Sequence, residues 1–195
     1  MRSPWAAAAL GALPAALAAP IALTLYVDKP PPGTTGGFGE PTCHACHFDQ
    51  PLDAPGGSLE IRGVPERYAP GRVYAITVEL QREGAPQGGF QLAARFADGA
   101  QAGALVPVDD RVAVTDSLGI RYAHHTAEGV EPTPIRWTVT WRAPAAAGEA
   151  GDGPARDGDV LFHAAGNAAN GDFSPLGDFV YTASARTVPC APADR

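Results

Sequence analysis

Arg136-Trp-Thr-Val-Thr-Trp-Arg142 is the stretch on which the fold turns. Trp137, Val139 and Trp141 alternate with Arg136, Thr138, Thr140 and Arg142. A period of two places three large apolar side chains on one face of a strand and the polar ones on the other.

The same rhythm recurs on both sides. Val73-Tyr-Ala-Ile-Thr-Val-Glu-Leu80 is rich in β-formers, and Phe90-Gln-Leu-Ala-Ala-Arg-Phe96 puts Phe90, Leu92 and Ala94 on one face. Residues 104–108, 111–115, 120–125, 160–165 and 179–185 supply further short runs, separated by turn residues, and the strand pattern begins at Leu59. Many short strands with Gly/Pro turns between them predict a β-sandwich. Residues 145–159, rich in Ala, Gly and Asp, read as a long surface connection. No internal repeat and no long helix is evident.

Composition agrees. A chain of 195 residues favours one domain. Its 45% hydrophobic and 18% charged residues exclude a disordered, solvated chain. The 23 glycines and 20 prolines disfavour long helices. Fourteen basic residues stand against 21 acidic ones, for a net charge of -7, and Lys29 is the sole lysine. Without a basic footprint, a nucleic-acid partner is excluded.

Arg2 precedes an uncharged apolar run from Pro4 to Val27, closed by Asp28. It reads as a signal peptide, with Ala16 and Ala18 at A-x-A spacing, or, uncleaved, as a membrane tether through residues 4–27 broken by Pro14 and Pro20. Either way the folded part is expected in the periplasm or extracytoplasmic envelope. The expected organisation is a signal or anchor over 1–25, a Pro/Gly-rich arm over 26–57, a sandwich over 58–188 and a tail over 189–195. Within the arm, Lys29 to Thr42 reads as a spacer that does not pack.

The arm carries Cys43-His44-Ala45-Cys46-His47, which contains C-x-x-C-H, the haem c attachment motif. Two cysteines three apart share one side of a helical turn and can add to two vinyl groups, and His47 then lies under the iron as proximal ligand. With 3 Cys and 5 His in 195 residues, chance supplies roughly 0.001 such motifs. Two other readings of the cluster stay open: a Cys43–Cys46 disulfide, or a metal site formed with His44 and His47. Cys190 is left over, as a free thiol or a link to another chain; haem packing is a second route to an oligomer.

Met1 is the only methionine and belongs to the leader, so a methionine ligand is excluded. Among the histidines, His125 is the first candidate for a distal iron ligand, with His124 and His163 behind it. His44, inside the motif, is poorly placed. The Asn167/Asn170/Asp172 loop is expected to use its side chains for turn hydrogen bonds rather than for calcium.

Several segments together resemble the reeler (reelin-type) domain in its bacterial exported form, the choice-of-anchor V group. They are Tyr68-Ala-Pro-Gly-Arg-Val-Tyr74, Gly88-Gly-Phe-Gln-Leu92, His125-Thr126, Trp137 to Pro144, Val160 to Asp172 and Gly177-Asp178. Thr35-Gly36, Gly39-Glu40 and Thr42-Cys43-His44-Ala45-Cys46-His47 match the stretch that opens many such proteins. The resemblance covers roughly residues 33 to 185 and implies an envelope location. It also implies an all-β, immunoglobulin- or fibronectin-like sandwich of about seven to nine strands. It implies no settled activity. Animal reeler domains carry internal disulfides, whereas here no cysteine lies between residues 47 and 189.

The expected function is an exported monohaem c-type cytochrome-like protein, for electron transfer or haem-based sensing, with one covalent haem c and an unidentified redox partner. The alternative is a non-catalytic envelope binding or adhesion module in which Cys43 and Cys46 form a disulfide and no haem is bound. No G-x-S-x-G, H-E-x-x-H or P-loop is present, and no enzyme activity is assigned.

Overall fold

The computed structural model describes residues 29–146 and 156–191. The expected leader and residues 147–155 of the long connection lie outside the described residues. Ten strands follow in order: β1 (Gly57–Arg62), β2 (Arg67–Tyr68), β3 (Val73–Arg82), β4 (Gln87–Phe96), β5 (Ala104–Pro107), β6 (Val112–Ser117), β7 (Ile120–His125), β8 (Ile135–Arg142), β9 (Val160–Ala169) and β10 (Phe179–Pro189). Among the described residues, no helix is long and apolar enough to cross a membrane.

Two sheets form the sandwich. One runs β1-β3-β8-β5, and the other β2-β10-β9-β4-β7-β6. The fold is therefore all-β, with one strand more among the described residues than the expected upper count. The addition is β2, a two-residue strand paired in parallel with the end of β10. So short a pair has no periodicity to read. β9 and β10 also run on to Ala169 and Pro189, past Ala165 and Ala185.

The alternation in β8 does what it predicts. Trp137, Val139 and Trp141 are buried between the sheets, while Arg136 and Arg142 are exposed. The Trp137 ring stacks on Phe90 of β4 with centroids 4.6 Å apart, and Trp141 meets Phe162 of β9 edge-on at 4.9 Å. Each indole bridges one sheet to the other, and its N–H still finds a carbonyl: Trp137 donates to Gly129 at 2.8 Å and Trp141 to Ala102 at 3.0 Å. Such aromatic pairs add about 0.5–1.5 kcal/mol beyond their buried area. They hold together a sandwich that no internal disulfide staples.

The outer faces of the two sheets differ. On the four-stranded sheet, Thr77 and Thr138 face partly into solvent with their hydroxyls 3.1 Å apart. Glu79 lies beneath Arg136 (2.8 Å), Arg62 (3.2 Å) and Gln81 (2.6 Å). The Arg136 guanidinium leads in holding the Glu79 carboxyl below its usual range, against the opposing push of burial.

On the six-stranded sheet the outer face is covered by the arm, and here the expectation of an unpacked spacer is corrected. Thr34 and Thr35 are buried. Thr34 N–H donates to Gln91 Oε1 at 2.7 Å, and Gln91 Nε2 donates to Pro31 O at 2.9 Å. Glu40 accepts from Arg95 at 2.6 Å, Tyr122 at 2.5 Å and Thr35 at 2.6 Å. Phe38 packs edge-on to His163, centroids 5.4 Å apart, with the Arg95 guanidinium 4.5 Å from its ring. Glycine is what permits this approach, because a Cβ on Gly37 would lie 2.5 Å from His163 Cγ. Composition that suggests a loose linker instead gives a backbone thin enough to lie flat on a sheet. The arm is a partial third layer, and it delivers residues 43–47 to a fixed place.

Candidate functional site

Cys43–Ala45 form a single 3-10 turn, with Thr42 Oγ1 accepting from His44 N–H at 3.1 Å. The amides of Cys46 and His47 both return to Cys43 O, at 3.2 and 3.1 Å. One turn thus presents Cys43, Cys46 and His47 together, as the spacing requires. The neighbouring carboxylates fasten it. Asp49 accepts from Gly177 N–H at 2.7 Å, and Asp53 accepts from Thr182 N–H and Oγ1 at 2.7 and 2.9 Å. The turn therefore rests over the end of the six-stranded sheet where β9 finishes and β10 begins.

There His47 meets Asp178. Nδ1 of His47 lies 2.6 Å from Asp178 Oδ2. The carboxylate is 1% exposed and the imidazole 29% exposed. Asp178 Oδ1 accepts from the Asn170 N–H at 2.9 Å, and Oδ2 accepts from Asn167 Nδ2 at 3.3 Å. Burial pushes the Asp178 carboxyl up. The donors from His47, Asn170 and Asn167 outweigh it and hold the group below the usual carboxylate range. An ionised carboxylate only accepts, so His47 donates its Nδ1–H to Asp178, which in the neutral ring leaves the lone pair on Nε2. Asn167 Nδ2 stands 3.3 Å from Nδ1 and 3.5 Å from Nε2 of the same ring. An in-plane approach so nearly equidistant would collide with Cε1, so this N–H lies over the ring face and leaves the in-plane lone pair alone.

The two thiols differ. Cys46 is exposed and Cys43 half-buried. Burial, reinforced by the neighbouring Cys46, pushes the Cys43 thiol up to about 12. A thiol protonated at neutral pH is a poor metal ligand and a poor redox nucleophile. His44 is also turned away, donating from Nε2 to Gln50 O at 2.8 Å. Two thiolates and two imidazoles therefore do not converge, and among the described residues no group of three or more His, Cys, Asp or Glu could hold a metal ion. Cys190 hydrogen-bonds through its N–H to Tyr68 O at the far end of β10, at 2.8 Å. At about 3.3 Å per residue it lies roughly 40 Å along the strand from Asp178 and cannot pair with either cysteine of the turn.

Apolar side chains left in solvent collect around the turn. Phe48 and Leu52 are exposed on the segment after His47, and Phe173 and Leu176 on the loop before Asp178. The bond from Gly177 to Asp49 and the one from His47 to Asp178 tie these two segments together.

The other histidines stand elsewhere. His163 lies under Gly37 and Phe38. His124 is buried, with Nε2 2.9 Å from Thr115 Oγ1 and Nδ1 2.8 Å from His125 O. Burial pushes its pKa down, as it does that of His163. Neither reaches the turn. His125 is also buried, Nδ1 lying 3.0 Å from Phe90 N and 3.2 Å from Phe90 O. Its ring abuts Gly89, and Gly89 pairs across the sheet with Asn167. Asn167, within β9, turns its amide to Asp178 and the His47 ring, and the loop after β9 spends Asn170 and Asp172 on its own turns. Asp172 N–H donates to Asn170 Oδ1 at 3.1 Å and Ser174 N–H to Asp172 Oδ1 at 2.8 Å. Asp178 itself was not singled out by sequence reasoning as a site residue. Its only signal was the Gly177-Asp178 pair within the reeler resemblance.

Solved structures similar to this chain include reeler domains. The Reelin-N domain of F-spondin shares 17% identity at a TM-score of 0.49, covering 76% of this chain and 97% of that one. The human F-spondin reeler domain shares 17% at a TM-score of 0.48, covering 73% and 95%. A conjugative transposon lipoprotein from Bacteroides eggerthii shares 11% at a TM-score of 0.32, covering 69% and 98%. No family model and no curated protein matches the chain.

Proposed function

We propose that the protein is an exported β-sandwich that carries one covalent haem c on its docked arm and serves in electron transfer. The observation that carries this reading is the His47 imidazole, fixed through Nδ1 by Asp178 at 2.6 Å on the same turn as two thiols. The residues fit the group. Cys43 and Cys46 would supply the two thioethers, His47 would supply Nε2 to the iron, and exposed Phe48, Leu52, Phe173 and Leu176 would supply apolar cover. Bound haem supplies a one-electron couple whose potential follows its ligands and surroundings. The chain's own part is to hold the ligand's tautomer and orientation through Asp178, to keep the turn on the sheet through Asp49 and Asp53, and to exclude water with the apolar rim. Export follows from the apolar run 4–27 and suits haem attachment outside the cytoplasm. The support lies in residues 42–53 and 167–178, not in the likeness to solved structures.

A second reading has support from the two thiols sharing one turn: an envelope binding module with a Cys43–Cys46 disulfide and no haem. One experiment separates them. The protein is made in the envelope of a host with haem c maturation machinery, and its visible spectrum is recorded before and after denaturation and acid-acetone extraction. A Soret band that stays with the polypeptide supports the haem reading, and Cys43→Ala with Cys46→Ala removes it. A colourless chain overturns it.

A further inference from the structure

We infer that Asp178 is a positioning residue that sets the reduction potential of the iron through His47. The inference rests on the haem reading above and goes past it, to how the site is tuned. Three observations carry it. The carboxylate is buried, at 1% exposure, yet it faces the axial imidazole at 2.6 Å. Its other partners, the Asn170 amide N–H at 2.9 Å and Asn167 Nδ2 at 3.3 Å, are neutral. Among the described residues, His47 is the one cationic or ionisable group with which it pairs. The field of a buried, fixed anion is thus directed at one ring, in surroundings that screen it weakly. A carboxylate partner makes a histidine ligand more basic than a carbonyl partner does. It favours the more positive, oxidised form of the iron and lowers the potential.

Two conservative substitutions in the full-length haem protein test this, read by spectroelectrochemical titration. Asp178→Asn keeps size and an acceptor oxygen for the His47 N–H but removes the charge, so the potential moves upward. Asn167→Ala removes a donor that competes for Oδ2, leaving that oxygen to His47, so the potential moves downward. Opposite signs set tuning apart from simple loosening of the loop, which would move both the same way. NMR of the reduced protein supplies an independent readout. The His47 Nδ1–H proton resonates far downfield in the wild type and shifts back in Asp178→Asn. A haem-bearing Asp178→Asn protein at the wild-type potential overturns the inference and leaves the haem reading standing. A wild-type chain without haem overturns both. Should Asp178→Asn fail to fold, Asn167→Ala decides alone: a fall in potential supports the inference, and no fall overturns it.

Discussion

Gly37→Ala is the most direct perturbation of the arm as a structural layer. The added methyl would lie 2.5 Å from Cγ, 2.7 Å from Cδ2 and 2.8 Å from Cβ of His163. Ordinary carbon contacts begin at about 3.5 Å, so something must move by roughly 1 Å. His163 sits in β9, paired on both sides by β10 and β4, and cannot yield. The arm must lift instead, loosening the Phe38–His163 contact and the ion pair between Glu40 and Arg95 at 2.6 Å. Overpacking of this kind costs about 1–3 kcal/mol. At about 2–4 °C per kcal/mol for a domain of this size, the melting temperature should fall by roughly 2–12 °C. Thermal unfolding by circular dichroism measures the shift, and chymotrypsin cleavage after Phe38 reports the lifting. His163→Ala in the Gly37→Ala background removes two of the three clashing atoms and should restore part of the loss. An unchanged melting temperature and an arm no more sensitive to protease would refute the docking of the arm.

Other expectations concern the core, the charges and the site. Trp141→Phe leaves Ala102 O without its donor and should cost about 1–3 kcal/mol in urea unfolding. Gly103→Ala combines a φ of +68° with a Cβ 2.2 Å from Arg142 O, and should yield insoluble protein, whereas a soluble, cooperatively melting variant would contradict the packing of β5 beside β8. Glu79 has a depressed folded-state pKa, so its contribution is present above the unfolded value of about 4.3 and lost as pH falls through the folded one. The stability gap between wild type and Glu79→Gln, followed by chemical denaturation, should therefore close on acidification below about pH 4. Phe48→Ser with Phe173→Ser should leave stability within about 0.5 kcal/mol, both side chains being exposed, yet increase solvent access to the haem, which favours the more positive oxidised form and is seen as a lowered potential.

The sandwich was legible because its signal is local. Burial alternates along Arg136–Arg142 just as polarity does, and no distant partner is needed to read it. The arm was not legible, because Thr34 and Thr35 are buried, and Glu40 is held, against residues far along the chain, namely Gln91, Arg95 and Tyr122. Pro and Gly in residues 30–39 look the same whether a segment floats or lies flat on a sheet. The turn at Cys43–His47 was legible as a motif, since its spacing and its geometry coincide. Its partner Asp178 was not, because 131 residues separate it from His47 and only the return of β10 beside β9 brings the two together. For the distal histidines, adjacency within a run carried no information on what would cover them. Gly37 closes over His163, and Thr115 takes up His124.

Intact mass spectrometry of the mature protein, purified from a host that attaches haem c, tests the central claim most directly. The account predicts a chain heavier than its amino acids by one haem, a mass lost when Cys43 and Cys46 are both replaced. A chain at its bare polypeptide mass, or lighter by the two hydrogens of a Cys43–Cys46 disulfide, would contradict it.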